Sequence, residues 1–362
     1  MDSQNKVIVD LDAIRSNFSL ACNLAPASKN IAVVKADAYG HGAVQVAIAL
    51  QSQAPAFAVA TLEEAMQLRD ASIQKPILVL EGLCSSDGIE VAAQNDLWLM
   101  MHNHEQVANL AAAKLRAPLG CWIKVDTGMH RLGFDVDELP AVLERMKSTP
   151  HFNEQTVLCT HLSSADDRSS DKTESQAARA KECASTHQLP LSICNSAGIL
   201  AWPKTHGDWN RPGYMLYGNS PFSGPDDYSE QLKPAMTFTS RLLSIRQVSE
   251  GSSVGYGGRW TASRESTIGT VGIGYAGGYP RSAADGTPML VNGEIAPLVG
   301  IVSMDMITID LTEHASVAVG DAVVLWGDGL SVNEVAKHSN TIGYELLTRP
   351  STGVETIYVG AS

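Results

Sequence analysis

Lys35 ends the short β-branched run Ile31-Ala32-Val33-Val34 and is followed at once by Ala36-Asp37-Ala38-Tyr39-Gly40-His41-Gly42. The run reads as a buried strand over 31–35, and the glycines as a tight loop leading into a helix-like stretch over 43–50. An amine placed there loses solvent, its ammonium pKa falls, and the free amine can condense with an aldehyde to form a Schiff base. The plainer reading is a lysine that ends a strand and carries its head group out to water. Company elsewhere in the chain favours the first. Arg131 follows the strand-like run 121–126 in Asp126-Thr127-Gly128-Met129-His130-Arg131-Leu132-Gly133. His161 falls late in another run, and Asn195-Ser196 ends a third. With Arg211 in Arg211-Pro212-Gly213-Tyr214, a lysine, two arginines, a histidine and a serine converging on one rim argue together for chemistry.

Singly, each has a quieter role. Arg131 could pair with a surface carboxylate such as Asp135, His161 could be a satisfied core histidine, and Ser196 could cap a helix beginning at Ala197. Tyr39 could be a rim aromatic. Tyr256, in Ser253-Val254-Gly255-Tyr256-Gly257-Gly258, could be an ordinary hairpin tyrosine between turn glycines.

The elements that would position these groups alternate up to about residue 220. Strand-like runs lie at 31–35, 56–60, 76–80, 97–101, 121–126, 156–162, 191–195 and 214–217, with helical patterns at 62–71, 105–113, 138–146 and 174–185. Thr61 with Glu64 three residues on marks a capping box. Eight strands with intervening helices are what a parallel (β/α)8 TIM barrel requires, and in that fold catalytic groups sit at the carboxyl ends of the strands. Arg211 precedes the eighth run, so it reaches that rim only if its loop folds over. An open doubly wound sheet would usually bring a dinucleotide fingerprint after an early strand, and none is seen there. Beyond residue 234 β-branched runs punctuated by glycine take over (236–248, 266–273, 289–312, 321–326), with one helix at 332–338. The expected organisation is therefore a barrel over 11–233 and a C-terminal mainly-β domain over 234–362. The segment 1–10 carries a ninth strand candidate that the barrel does not need.

Composition narrows the class. With 362 residues, 44% hydrophobic and 18% charged, the chain reads as a soluble globular protein of more than one domain. A net charge of -13 and no visible basic patch argue against nucleic acid as a partner. No apolar stretch approaches a membrane span, and the first residues carry no secretory pattern. The six cysteines are scattered without a Cys-x-x-Cys pair, as expected of buried thiols in a reducing cytoplasm. The histidines are dispersed too, so no metal site is expected.

The segment from Ala32 to Gly42 resembles the pyridoxal-phosphate attachment segment of alanine racemases. The likeness continues through Lys124 to Gly133, Thr160-His161-Leu162, Asn195-Ser196 and Arg211 to Gly218. In the C-terminal part it includes Val254-Gly255-Tyr256-Gly257, Gly274-Tyr275-Ala276 and Ser303-Met304-Asp305-Met306. The match runs in order along nearly the whole chain. It implies a barrel plus β-domain fold, with the early strand joining the C-terminal domain, and a homodimer with shared active sites acting on alanine. Lys35 would hold the cofactor, pyridoxal 5'-phosphate, as a Schiff base and then act as one of two Cα bases. Tyr256 of the other subunit would be the second, on the opposite face. Arg211 would face the pyridine nitrogen, with His161 supporting Arg211 and Tyr256. Tyr39, Asn195, Ser196, Gly213 and Tyr214 would complete the cofactor site, most of them around the phosphate. Arg131 and the partner's Met304 would position the substrate carboxylate, and Lys124 matches a position that is carbamylated in some members.

Three departures stand out. The family usually has aspartate where this chain has Gly277, and commonly arginine where it has Ile301. Both lie near the access corridor, so a racemase of broader range, acting on serine or lysine, is the alternative to one restricted to alanine. In some members a late tyrosine closes the pocket; by offset its place falls near Thr352. An amino-acid decarboxylase on the same architecture would place a carboxylate rather than Arg211 at the ring nitrogen. A cofactor carrier related to the barrel alone would have no need of the β domain or of Tyr256.

Overall fold

The computed structural model describes residues 5–360 other than 154 and 225. Residues 1–4 of the expected 1–10 segment and 361–362 of the expected 234–362 segment lie outside the described residues. Nine parallel strand segments form a nearly closed barrel. Lys29–Asn30 and Ala32–Val33 are one stave broken at Ile31, and Phe57–Val59, Ile77–Val79, Leu97–Met101, Cys121–Asp126, Val157–Cys159, Leu191–Ser192 and Trp209–Asn210 supply the other seven. Closure comes from Trp209 and Asn210, which pair with Lys29 and Asn30, and from the Val33 N–H, which donates to the Pro212 carbonyl at 3.0 Å.

Alternation along the staves divides the core in two. Ile31, Val33, Ala58, Leu78, Met100, Trp122 and Cys159 fill the barrel. Ala32, Phe57, Ile77, Leu99, Ile123 and Leu158 face the surrounding helices. At the amino-terminal mouth Trp98, Trp122 and Trp209 contact one another at 5.5–6.2 Å between ring centroids, which plugs that end.

The helices begin where the sequence offers an acceptor for their free N–H groups. The expected capping box is present before Leu62–Asp70: Thr61 accepts from the Glu64 N–H at 3.3 Å, and Glu64 accepts in return from the Thr61 N–H at 3.4 Å. The helix Ala43–Leu50 has the expected bounds. The helix Leu11–Leu24 is one that strand-and-helix alternation did not flag; Asp10 caps it by accepting from the Asp12 and Ala13 N–H groups.

The eighth strand requires a correction. Residues 214–217 are not a strand but the 3₁₀ turn Tyr214–Tyr217, and the last stave is Trp209–Asn210, just upstream. The apolar run imitates a strand because it is buried on every side. Its backbone polar groups are met by tertiary partners: Asn17 donates to the Leu216 carbonyl at 3.1 Å and the Ala235 N–H to the Tyr217 carbonyl at 3.2 Å.

The mainly-β domain is built on the long strand Met236–Val248. Its first half pairs antiparallel with Lys6–Asp10 and with Ala322–Trp326; its second half pairs with Ser266–Val271, with a register shift between Leu242 and Ser244. Lys6–Asp10 also pairs in parallel with Glu355–Val359. The expected run 289–312 is three strands, Pro288–Val291, Glu294–Pro297 and Ile307–Asp310, and the first two are joined by a turn at Asn292-Gly293 where both residues have positive φ.

Candidate active site

At the carboxyl ends of the staves a cavity of about 540 Å³ is lined by Lys35, Tyr39, Lys124, Arg131, His161, Asn195, Ser196, Arg211, Gly213 and Tyr214, together with Glu81 and Tyr344. Arg211 needs no loop to fold over the rim. It directly follows the last stave, with its N–H donating to the Cys194 carbonyl at 2.8 Å. Arg211 is 6% exposed, and its guanidinium donates to Ser192 Oγ at 2.6 Å, to the Thr160 and Ile193 carbonyls at 2.7 and 3.2 Å, and to His161 Nδ1 at 3.3 Å. Among the described residues no carboxylate pairs with it.

An arginine only donates, so His161 Nδ1 must be the acceptor, and a neutral ring then carries its proton on Nε2. Burial first, then Arg211, Lys124, Arg131 and Lys35, hold the His161 pKa well below its ordinary value. The imidazole is neutral at pH 7.

Lys35 follows its stave by two residues and opens an unusual turn. Ala36, Asp37, Ala38 and Tyr39 all have φ of 51–54° and ψ of 41–51°, a left-handed turn made by four consecutive L-residues. Each such residue costs roughly 1–2 kcal/mol, so the turn must be held from outside. The Ala36 N–H donates to Glu64 Oε1 at 2.7 Å, and Asp37 Oδ1 accepts from the Ala43 N–H at 2.7 Å, at the start of the next helix. His41 Nδ1 lies 2.9 and 3.1 Å from the carbonyls of Tyr39 and Ala38, so that nitrogen carries the proton. Burial pushes the His41 pKa down to about 4. The turn presents Lys35 and Tyr39 to one cavity.

Burial is the main cause lowering the Lys35 pKa; Arg131 and Arg211 lower it further, against Glu64 and Glu81. Lys124 is lowered as well, mainly by burial, with Arg211 and Arg131 adding to it. Burial raises Tyr39 to about 12, so its phenol is a donor at neutral pH. Two arginines and two lysines face Glu81 as the one carboxylate of the lining. That imbalance suits an anionic ligand.

Ser196 is not the cap expected from the sequence. Asn195 caps the helix Ser196–Ala201 by accepting from the Gly198 N–H at 3.0 Å. Ser196 Oγ instead accepts from the N–H groups of Gly213 and Met215 at 3.0 and 3.1 Å, which leaves its own proton to donate. Gly213 has no room for a side chain, since a Cβ would lie 2.7 Å from Tyr39 Oη and 3.6 Å from Val33 Cβ.

Two sequence-derived candidates stand outside this cavity. Tyr256 is 71% exposed, on a 3₁₀ turn at the end of the hairpin Ser253–Val254/Trp260–Thr261, and Met304 is 54% exposed. Nor does Arg131 pair with Asp135. Tyr344 was missed: it lines the cavity from the short helix Gly343–Leu347, and Thr352 is not part of the lining. Its ring stacks on Tyr214 at 3.6 Å and 10°, and Tyr214 Oη donates to Asn333 Oδ1 at 2.6 Å. Glu64 and Glu81 are further groups near Lys35, and Glu64 was legible only as half of a capping box.

Comparison with known proteins shows the family. Residues 9–221 match the family model for the alanine racemase N-terminal domain, and residues 235–358 that for the alanine racemase C-terminal domain. An alanine racemase of Chromohalobacter salexigens is 48% identical, over 94% of this chain and 93% of its own. The crystal structure of a biosynthetic alanine racemase from Pseudomonas aeruginosa superposes with a TM-score of 0.94 at 45% identity, covering 98% of this chain and 99% of its own. An alanine racemase from Bartonella henselae with covalently bound pyridoxal phosphate gives 0.87 at 30% identity, covering 99% of this chain and all of its own. The chain belongs to the alanine racemase family of isomerases.

Proposed function

We propose that the protein interconverts L- and D-alanine with pyridoxal 5'-phosphate as cofactor, using two bases from two copies of the chain. The observation that carries this reading is the single cavity that sets a lysine of lowered pKa beside a carboxylate-free buried arginine and a cradle closed by Tyr39, Ser196 and Gly213. The donor set fits a phosphorylated pyridine aldehyde: an amine for the aldehyde, a permanent cation for the ring nitrogen, and hydroxyl donors for the phosphate. Such an aldehyde, held by Lys35 and then passed to the substrate amine with release of the Lys35 amine, would withdraw electrons from the substrate's Cα–H bond and acidify that proton.

The chain's own groups do the rest. Lys35, whose pKa is lowered by burial and by its arginine neighbours, takes or returns the Cα proton on one face. Arg211 keeps a pyridine nitrogen unprotonated, because a guanidinium neither accepts nor loses a proton here. Neutral His161 accepts from Arg211 and has its Nε2 proton free for the phenol of Tyr256. Tyr39 and Ser196 donate to phosphate, Gly213 makes room, and Asn195 and Tyr214 fix the flanking backbone. Arg131 and Met304 of a second copy position the substrate carboxylate, and Lys124 adds positive charge beside Arg131.

The second base is assigned to another chain, a reading supported by Tyr256 and Met304 standing outside the cavity of their own chain. Both are exposed on the β domain, and Met304 is part of an apolar patch there. The N–H groups of Tyr275 and Ala276 donate to the carbonyls of Ser303 and Met304 at 3.1 and 3.0 Å, and Tyr275 and Met306 are exposed beside them. A patch of this kind suits a closed two-fold dimer in which it covers the cavity of the partner. In cells the same proposal means a cytoplasmic enzyme that supplies D-alanine for peptidoglycan or degrades it. Among the described residues no helix is long and apolar enough to cross a membrane. The test is the loss of optical rotation of L-alanine by purified protein, with and without added cofactor; racemisation that needs the cofactor is expected, and none with saturating cofactor would refute the reading.

A further inference from the structure

We propose that Glu64 is a positioning residue for the cofactor lysine: its carboxylate, by holding the Ala36 N–H, fixes the left-handed turn that sets Lys35 and Tyr39 against one ligand. The inference rests on the function proposed above and deepens it. Ala36 is the first left-handed residue after Lys35, so its peptide decides how the chain leaves the stave. Four L-residues in that conformation do not hold it unaided. Glu64 Oε1 accepts from Ala36 at 2.7 Å, while Oε2 accepts from the Ala60 N–H at 2.6 Å and from Thr61. Ala60 directly follows the neighbouring stave Phe57–Val59, so the carboxylate ties the lysine's turn to the adjacent strand end of the barrel. Asp37 and His41 secure the turn further along, but both act after Lys35 has been placed.

The plainer role is that of a helix cap, and the two roles separate. Glu64→Gln keeps the volume but leaves one acceptor oxygen where the carboxylate had two. Thr61→Ala removes the cap bond from Thr61 Oγ1 and leaves the bond to Ala36 untouched. Apo-protein of each variant is titrated with pyridoxal phosphate by absorbance, and the pH dependence of Lys35 acylation is read by peptide mass spectrometry without cofactor. Glu64→Gln is expected to raise the cofactor dissociation constant by about ten- to a hundredfold, the range of a lost charged hydrogen bond. It should also lower the pH midpoint for Lys35 acylation, since a nearby anion favours the ammonium. Thr61→Ala should lower the melting temperature and change neither reading.

Adding Ala36→Gly to Glu64→Gln should restore much of the affinity, because glycine enters the left-handed region without penalty. Unchanged affinity in Glu64→Gln overturns the proposal, as does a loss that Thr61→Ala reproduces or that Ala36→Gly fails to relieve. Should Glu64→Gln be insoluble, rescue by Ala36→Gly supports the proposal and failure of both overturns it. Wild-type protein that does not bind the cofactor would instead refute the proposed function.

Discussion

The rim of the barrel and the exposed patch of the β domain are finished to different degrees. On the rim, Arg211 makes four bonds from a buried position, His161 is held neutral, and Lys35 stands on a turn tied at several points. On the β domain, Tyr256 is 71% exposed between Gly255 and Gly257, both at positive φ. The backbone under the patch is nevertheless firm: a Cβ at Gly274 would strike the Ser303 carbonyl at 2.2 Å, and Arg259 ties the hairpin to the Gly300 carbonyl at 2.6 Å. A group whose protonation must be tuned needs its environment within the chain. In the proposed two-fold dimer, a group delivered to another copy needs only a rigid mount, and is tuned on arrival.

The largest effect expected from breaking the rim is that of Lys35→Ala. It removes anchor and base together, so activity should vanish, and borohydride reduction of cofactor-loaded wild type should mark one peptide, containing Lys35. A label on Lys124 would contradict the assignment. Next is Arg211→Glu. A carboxylate at the ring nitrogen favours its protonation, so racemisation should slow, transamination should rise, and stopped-flow spectra should show a new long-wavelength band. Wild-type kinetics with no such band would remove Arg211 from that role.

A smaller effect belongs to the turn and shows as acid sensitivity. The His41 pKa falls from 6.5 to about 4 on folding, so between those values the unfolded chain binds more protons than the folded one. The histidine's contribution is complete above about pH 6.5 and is lost as pH falls toward 4; the full shift amounts to about 3 kcal/mol. His41→Gln should flatten the pH dependence of denaturant stability across that window, with the wild-type slope retained only if another group is responsible. The smallest effect concerns the patch. Gly277→Asp with Ile301→Arg should narrow activity toward alanine relative to serine and lysine. A Cβ at residue 277 would crowd Ile273 at 2.7 Å, so the loop must shift slightly to take it. A wild type already strict for alanine would refute this idea.

The same contrast governs what could be read in advance. The barrel was legible because buried staves and amphipathic helices alternate, with Thr61 and Glu64 marking one helix start. The bounds of Met236–Val248 and Val332–His338 were legible too. Tyr214–Tyr217 misled because total burial erases the difference between a strand and a turn, while Trp209–Asn210 is too short and polar to stand out. Asp10 before Leu11, Ile14 and Phe18 was a usable signal for the first helix. The left-handed turn was not legible at all, since Ala, Asp, Ala and Tyr carry no mark of positive φ. Tyr344 escaped because a helix of five residues shows no period.

The most direct test of a site shared between rim and patch is complementation between two inactive chains. Lys35→Ala and Tyr256→Phe are each expected to be nearly inactive when pure, the latter by about 10²–10⁴-fold as for a lost general base. After mixing and subunit exchange, half of the dimers are mixed, and each mixed dimer has one site that joins an intact Lys35 to an intact Tyr256. About one quarter of all sites should then regain activity under closed two-fold symmetry. No recovery, with exchange demonstrated by mass spectrometry, would place both bases in one chain and contradict the shared site.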